Sequence, residues 1–157
     1  VTEVKDPGPT PLEILKEREW ANKDARGEVY LGNVLAIRYT GESLEIPESA
    51  HPYVLELTDV LKTPLRSNYR LVLTGWDRGS EEEARLGLKR AERLKQTLVH
   101  KYYMEGDRIS TRTGEQVDSP PSSDKAWGRG KEQSIEIHIY GNVSKAVRFV
   151  NPEEDSQ

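Results

Sequence analysis

Three histidines and one run of carboxylates are the side chains in this sequence whose types could carry acid–base or metal chemistry. His51, His100 and His138 are scattered over 157 residues, and no two show metal-ligand spacing. His51 falls in the first turn of one predicted helix and His138 on the polar face of a predicted strand, so surface or half-buried histidine is the plain reading of all three. Glu81, Glu82 and Glu83 stand at a predicted helix start, where negative charge complements the helix dipole. Hydrolysis by paired carboxylates is the weaker reading there. Gly128-Arg129-Gly130-Lys131 lacks the Ser or Thr of a phosphate-binding loop and opens no helix. No serine sits in a nucleophile elbow. Asn142-Val143-Ser144 matches a glycosylation triplet, a pattern common by chance. With no cysteine, disulfides, thiolate nucleophiles and cysteine-ligated zinc drop out. The expectation is a non-catalytic chain without cofactor or metal.

Composition narrows the partners. Lys plus Arg is 23 against 27 for Asp plus Glu, a formal net charge of -4. A mildly acidic chain without a basic cluster does not neutralise several phosphates, so no nucleic acid is expected. At 34% hydrophobic and 32% charged residues, the length suits one soluble domain with extra at the ends. No apolar run approaches bilayer-spanning length, so membrane attachment is expected only through segments absent from this chain. No signal peptide opens it, as would hold for any mature exported chain.

Residues 1–27 read as a Pro- and Gly-containing lead-in followed by a short helix over 12–23, with Leu12, Leu15 and Trp20 as its apolar contacts. Residues 28–40 alternate as a strand, although Gly32-Asn33 could make a tight hairpin turn. A helix is predicted over 49–62 with Val54, Leu57 and Leu61 buried, then a strand over 69–74. Ser80 and Glu83 fit a capping box opening a helix over 80–104, with Gly106 as its stop. A strand over 108–112, a long loop over 113–130 and a strictly alternating strand over 134–140 follow. Gly141-Asn142 is then expected to turn the chain into a further strand over 145–150, paired with 134–140 as a hairpin. Residues 151–157 form an acidic tail. Strands alternating with helices imply an α/β two-layer sandwich, with the helices on one sheet face and the other face partly wet.

The segment Leu73–Ala91, LTGWDRGSEEEARLGLKRA, carries the most specific pattern. It resembles the OmpA-like peptidoglycan-binding domains, whose motifs run G-H-T-D-x-x-G after a strand and N-x-x-L-S-x-x-R-A in the next helix. Gly75, Asp77 and Gly79 match the first; Leu86 and Arg90-Ala91 match the second. Arg108-Ile109-Ser110 with Gly114-Glu115, and Gly128-Arg129 followed by Ile135-Glu136-Ile137, resemble the later motifs in order, so the likeness spans residues 34–140.

The resemblance implies a βαβαββ domain over 28–150 with a mixed sheet, in which the last core strand inserts between earlier ones. It implies a periplasmic domain that ties an envelope protein to the cell wall or outer membrane by holding the diaminopimelate of the peptidoglycan stem peptide. Asp77 and Arg90 would hold the ammonium and carboxylate of that zwitterion, in a cleft near the second helix start bounded by the 113–130 loop. Trp76 would pack on sugar or peptide, and Arg129 would flank the cleft. The sequence departs from the family at four places, one of them the missing Asn before the helix motif. Trp76 alone separates Gly75 from Asp77, Asp77 and Arg90 are two residues closer than in the family, and Glu132-Gln133-Ser134 stand where Asn-Arg-Arg is usual. The alternative is an OmpA-like scaffold that binds an envelope protein partner instead, with Asp77 capping its loop and Arg90 paired with Glu83 or Glu92 or left solvated.

Overall fold

The computed structural model describes residues 10–76, 81–113 and 134–148. Its elements are α1 (Pro11–Ala21), β1 (Val29–Arg38), α2 (His51–Leu61), β2 (Arg70–Trp76), α3 (Glu81–His100), β3 (Ile109–Thr113) and β4 (Ser134–Gly141). Thr10 starts α1 by accepting the Glu13 N–H, and Pro11 occupies the first turn, where its missing N–H costs nothing. The buried side of α1 is Ile14, Leu15 and Glu19, while Leu12 and Trp20 stay half-buried. α2 buries Val54, Leu57 and Leu61 as their helical spacing predicts.

The sheet order is β1-β4-β2-β3. β4 runs antiparallel to both β1 and β2, and β2 runs parallel to β3. The last strand therefore inserts between the first two, as the family resemblance implies. Ile135, Ile137 and Ile139 of β4 lie opposite Gly75, Leu73 and Leu71 of β2 and form the middle of the core with Leu35, Ile37 and Ile109. Helices α1, α2 and α3 close that core through Ile14, Leu15, Val54, Leu57, Leu61, Ala91, Leu94 and Leu98.

Two readings of the strands are corrected. Gly32-Asn33 makes no hairpin: β1 runs through it with register shifts at Leu31 and Val34, and Gly32 at φ 93° supplies the left-handed backbone of the first bulge. Nor do the described residues after Gly141 form a fifth strand; residues 149–150 of the expected strand lie outside the described residues. Asn142 donates its N–H to Asn68 Oδ1 and accepts the Ser144 N–H, Val143 and Ala146 enter the core, and residues 146–148 form a 3₁₀ turn. The reason lies in the sheet order: both edges of β4 are already taken by β1 and β2, so a hairpin partner has no ladder to join.

α3 ends at His100, before Gly106. Tyr103 takes a left-handed turn at φ 60°, and the Met104 N–H returns to the Leu98 carbonyl at 2.9 Å. A tyrosine there is strained, and at 77% exposure it recovers little packing. Tyr103→Gly is expected to raise stability by up to about 1 kcal/mol. A urea midpoint lower than wild type would show that the ring contributes packing instead.

Candidate functional site

The site implied by the sequence lies where the end of β2 meets the first half of α3. Two glycines set that meeting. A Cβ placed on Gly75 would lie 2.7 Å from the carbonyl carbon of Gly87 and closer still to its oxygen, so strand and helix backbones touch. Gly75 thus belongs to the motif for a steric reason, the close approach of two backbones.

Arg90 lies one turn further along α3, on its buried side. The whole residue is 2% exposed. Its Nε donates to the Ser43 carbonyl at 2.8 Å and its Nη2 to the Gly41 carbonyl at 2.6 Å. Its guanidinium carbon stands 4.9 Å from the Tyr39 ring centroid. Arg93, one turn on, holds Glu45 at 2.5 Å, so two arginines of α3 pin the loop that follows β1. Among the described residues no carboxylate pairs with Arg90, and the expected pairing with Glu92 is not formed. Burial without a counter-ion pulls the Arg90 pKa below its usual value.

Tyr39 is the residue that sequence reading missed. Its spacing reads as one more alternating strand position, yet it lies just past β1, is 2% exposed, and its hydroxyl is buried with no hydrogen-bond partner among the described residues. Leaving a buried hydroxyl unsatisfied costs about 1–3 kcal/mol. Burial pushes its pKa well up, against the opposing pull of Arg90, so the group stays a protonated donor. Of the other residues implied by the resemblance, Trp76 ends β2 opposite Ser134. Asp77, Arg129 and the capping residue Ser80 lie outside the described residues, as does most of the 113–130 loop.

Arg108 of the Arg-Ile-Ser motif also has a structural use. It donates to the carbonyls of Tyr69, Leu61 and Arg66, each at 2.8 Å, and so ties the end of α2 to the start of β2.

Of the three histidines, His51 is half-buried and His100 exposed as expected, and only His138 needs correcting. His138 does face away from the helices, but it is fully buried, as are Glu136 and Thr74 on the same face. Its Nε2 meets Glu136 at 2.7 Å and its Nδ1 meets the Tyr30 hydroxyl at 2.5 Å, with the Tyr30 ring stacked on it. Strand alternation reports which face a residue is on; it does not report whether that face is wet. His51 is half-buried and hydrogen-bonds the Tyr102 hydroxyl. Among the described residues no cluster of His, Asp and Glu could hold a metal, and no helix is long and apolar enough to cross a membrane.

Comparison with solved structures gives the architecture its relatives. The OmpA-like domain of FopA1 from Francisella tularensis superposes with a TM-score of 0.51 at 16% identity, covering 73% of each chain. The fold is that of an OmpA-like domain. The C-terminal domain of Helicobacter pylori MotB matches with a TM-score of 0.50 at 15% identity, over 77% of this chain and 95% of that one. The peptidoglycan-associated lipoprotein of Burkholderia pseudomallei also matches, at 14% identity and a TM-score of 0.49, over 67% and 89% of the two chains. No family model and no curated protein matches the sequence. At these identities the likeness extends to the OmpA-like fold, a three-helix layer on a four-stranded mixed sheet, and the chemistry rests on the residues themselves.

Proposed function

We propose that this chain is a non-catalytic peptidoglycan-binding domain of the periplasm, anchoring an envelope protein to the cell wall through the diaminopimelate of the stem peptide. The observation that carries the reading is Arg90: a buried guanidinium, at the position matching the family motif, with no carboxylate partner among the described residues. A buried charge needs a partner, and an incoming carboxylate supplies one. In this reading Arg90 holds the side-chain carboxylate of diaminopimelate, Asp77 its ammonium, Trp76 packs on the sugar or peptide, and Arg129 flanks the cleft.

One observation favours the scaffold alternative, in which an envelope protein is the partner. Arg90 already spends Nε and Nη2 on the Ser43 and Gly41 carbonyls, which would by itself account for a buried arginine clamping a loop. Titration calorimetry with a soluble stem peptide ending in diaminopimelate separates the two. Peptidoglycan binding predicts heat from wild type and a loss on the order of 1.5–3 kcal/mol for Asp77→Ala, the effect of one charged hydrogen-bonding partner. Arg90→Lys should lose a similar amount, because lysine cannot reproduce the fork. A folded wild type that neither gives heat nor sediments with sacculi would leave the scaffold reading standing.

A further inference from the structure

The buried tyrosines of this domain divide by what their hydroxyls do. Tyr69 donates to Glu19 at 2.6 Å, and Tyr102 bonds His51. Tyr39 alone among these buried tyrosines has a hydroxyl with no partner in the described structure. Its ring has a structural use, since it packs in the core and lies under the Arg90 guanidinium. Phenylalanine would serve both purposes as well, because the cation–π contact comes from the ring face. What phenylalanine lacks is a donor beside Arg90. On the guanidinium side, Nε and Nη2 are committed to the 41–43 loop, and Nη1 is the nitrogen left for a further acceptor. The nearby Glu45 carboxylate is held by Arg93, so it is not that acceptor. The Tyr39 hydroxyl, unsatisfied among the described residues, and Arg90 Nη1, with no bond among them, together suit one oxyanion with two lone-pair directions, as a carboxylate has.

We infer that the Tyr39 hydroxyl is a second donor to the carboxylate that Arg90 holds, and that Tyr39 thereby helps select stem peptides ending in diaminopimelate over those ending in lysine. The inference rests on the peptidoglycan reading above. Lysine lacks the extra side-chain carboxylate, so a donor aimed at that group adds nothing to a lysine-type peptide. A site built to hydrogen-bond one group discriminates against the analogue lacking it, because its donors are then left unpaired.

The test uses Tyr39→Phe, which keeps the ring, with calorimetry on two soluble stem peptides that differ only in ending in diaminopimelate or lysine. Melting curves without peptide accompany it. Tyr39→Phe should bind the diaminopimelate peptide about tenfold more weakly, or 1.4 kcal/mol. Its affinity for the lysine peptide should not change, and its melting temperature without peptide should be no lower than wild type. Equal affinity of both proteins for the diaminopimelate peptide would overturn the role of the hydroxyl and leave the binding function in place. A lowered melting temperature without peptide would overturn it too, by showing that the hydroxyl has a partner inside the protein. Failure of wild type to bind the diaminopimelate peptide would remove both the inference and the reading beneath it.

Discussion

Glu19→Ala should destabilise the domain by about 3–5 kcal/mol, the range for breaking a buried ion pair on one side. Glu19 is completely buried. Its carboxylate receives Arg66 through Nε at 2.6 Å and Nη2 at 2.8 Å, and the Tyr69 hydroxyl at 2.6 Å. The pairing holds the Arg66 pKa above its usual value even though burial alone would lower it, and the Tyr69 pKa is raised as well. Removing the carboxylate strands a guanidinium and a phenol away from water. The triple change Glu19→Leu, Arg66→Met and Tyr69→Phe removes every polar member together and should recover most of the loss, since a satisfied ion pair adds little over apolar packing. Urea denaturation of the single and triple variants checks both claims. A single-variant loss under about 1 kcal/mol would mean that Arg66 finds another partner or reaches solvent. The same triad makes α1 part of the folded body: deletion of residues 1–27 would take Glu19 with it.

Gly75→Val is expected to cost about 3 kcal/mol, at the upper end for overpacking a filled interior. The first added carbon already falls within 2.7 Å of Gly87 backbone, which belongs to a regular helix and has no rotamer through which to yield. β2 and α3 must then separate, and Leu73, Ile135 and Leu94 lose packing along the same seam. On the proposed peptidoglycan reading, stem-peptide affinity should fall together with stability, because Gly75 stands two residues before Asp77 and α3 carries Arg90. Denaturation combined with calorimetry tests the coupling. A variant as stable as wild type would show that helix and strand are less tightly apposed than their backbones indicate. Gly75→Ala serves as the graded control and should lie between the two.

The elements themselves were legible from local pattern. Helix α2 follows from Val54, Leu57 and Leu61, and β4 from the alternation of Ile135, Ile137 and Ile139, because both signals are periodic along the chain. The motif residues Gly75, Arg90 and Arg108 were legible as well, and each has an identifiable physical use: close backbone approach, a buried guanidinium on two carbonyls, and a clamp on three carbonyls. Sequence pattern also carried the strand-insertion topology, through the resemblance and not through periodicity.

Contacts between distant residues decided the rest. The hairpin after Gly141 was locally plausible, but only the sheet order reveals that both edges of β4 are occupied. Alternation put His138 on the face away from the helices; its burial against Glu136 and Tyr30 depends on partners two and 108 residues away. Nothing local singles out Glu19 in a short charged helix, and it becomes the centre of a buried triad only when Arg66 and Tyr69 arrive from 47 and 50 residues on. Tyr39 is the sharpest case. Its type and spacing say strand, and nothing local distinguishes it from any alternating tyrosine. Its hydroxyl, unsatisfied among the described residues, lies near a buried arginine only because Arg90 of α3 reaches the Tyr39 ring just past the end of β1. A one-dimensional pattern records which way a side chain points. Whether a polar group there is satisfied, and by what, depends on the groups that folding brings against it.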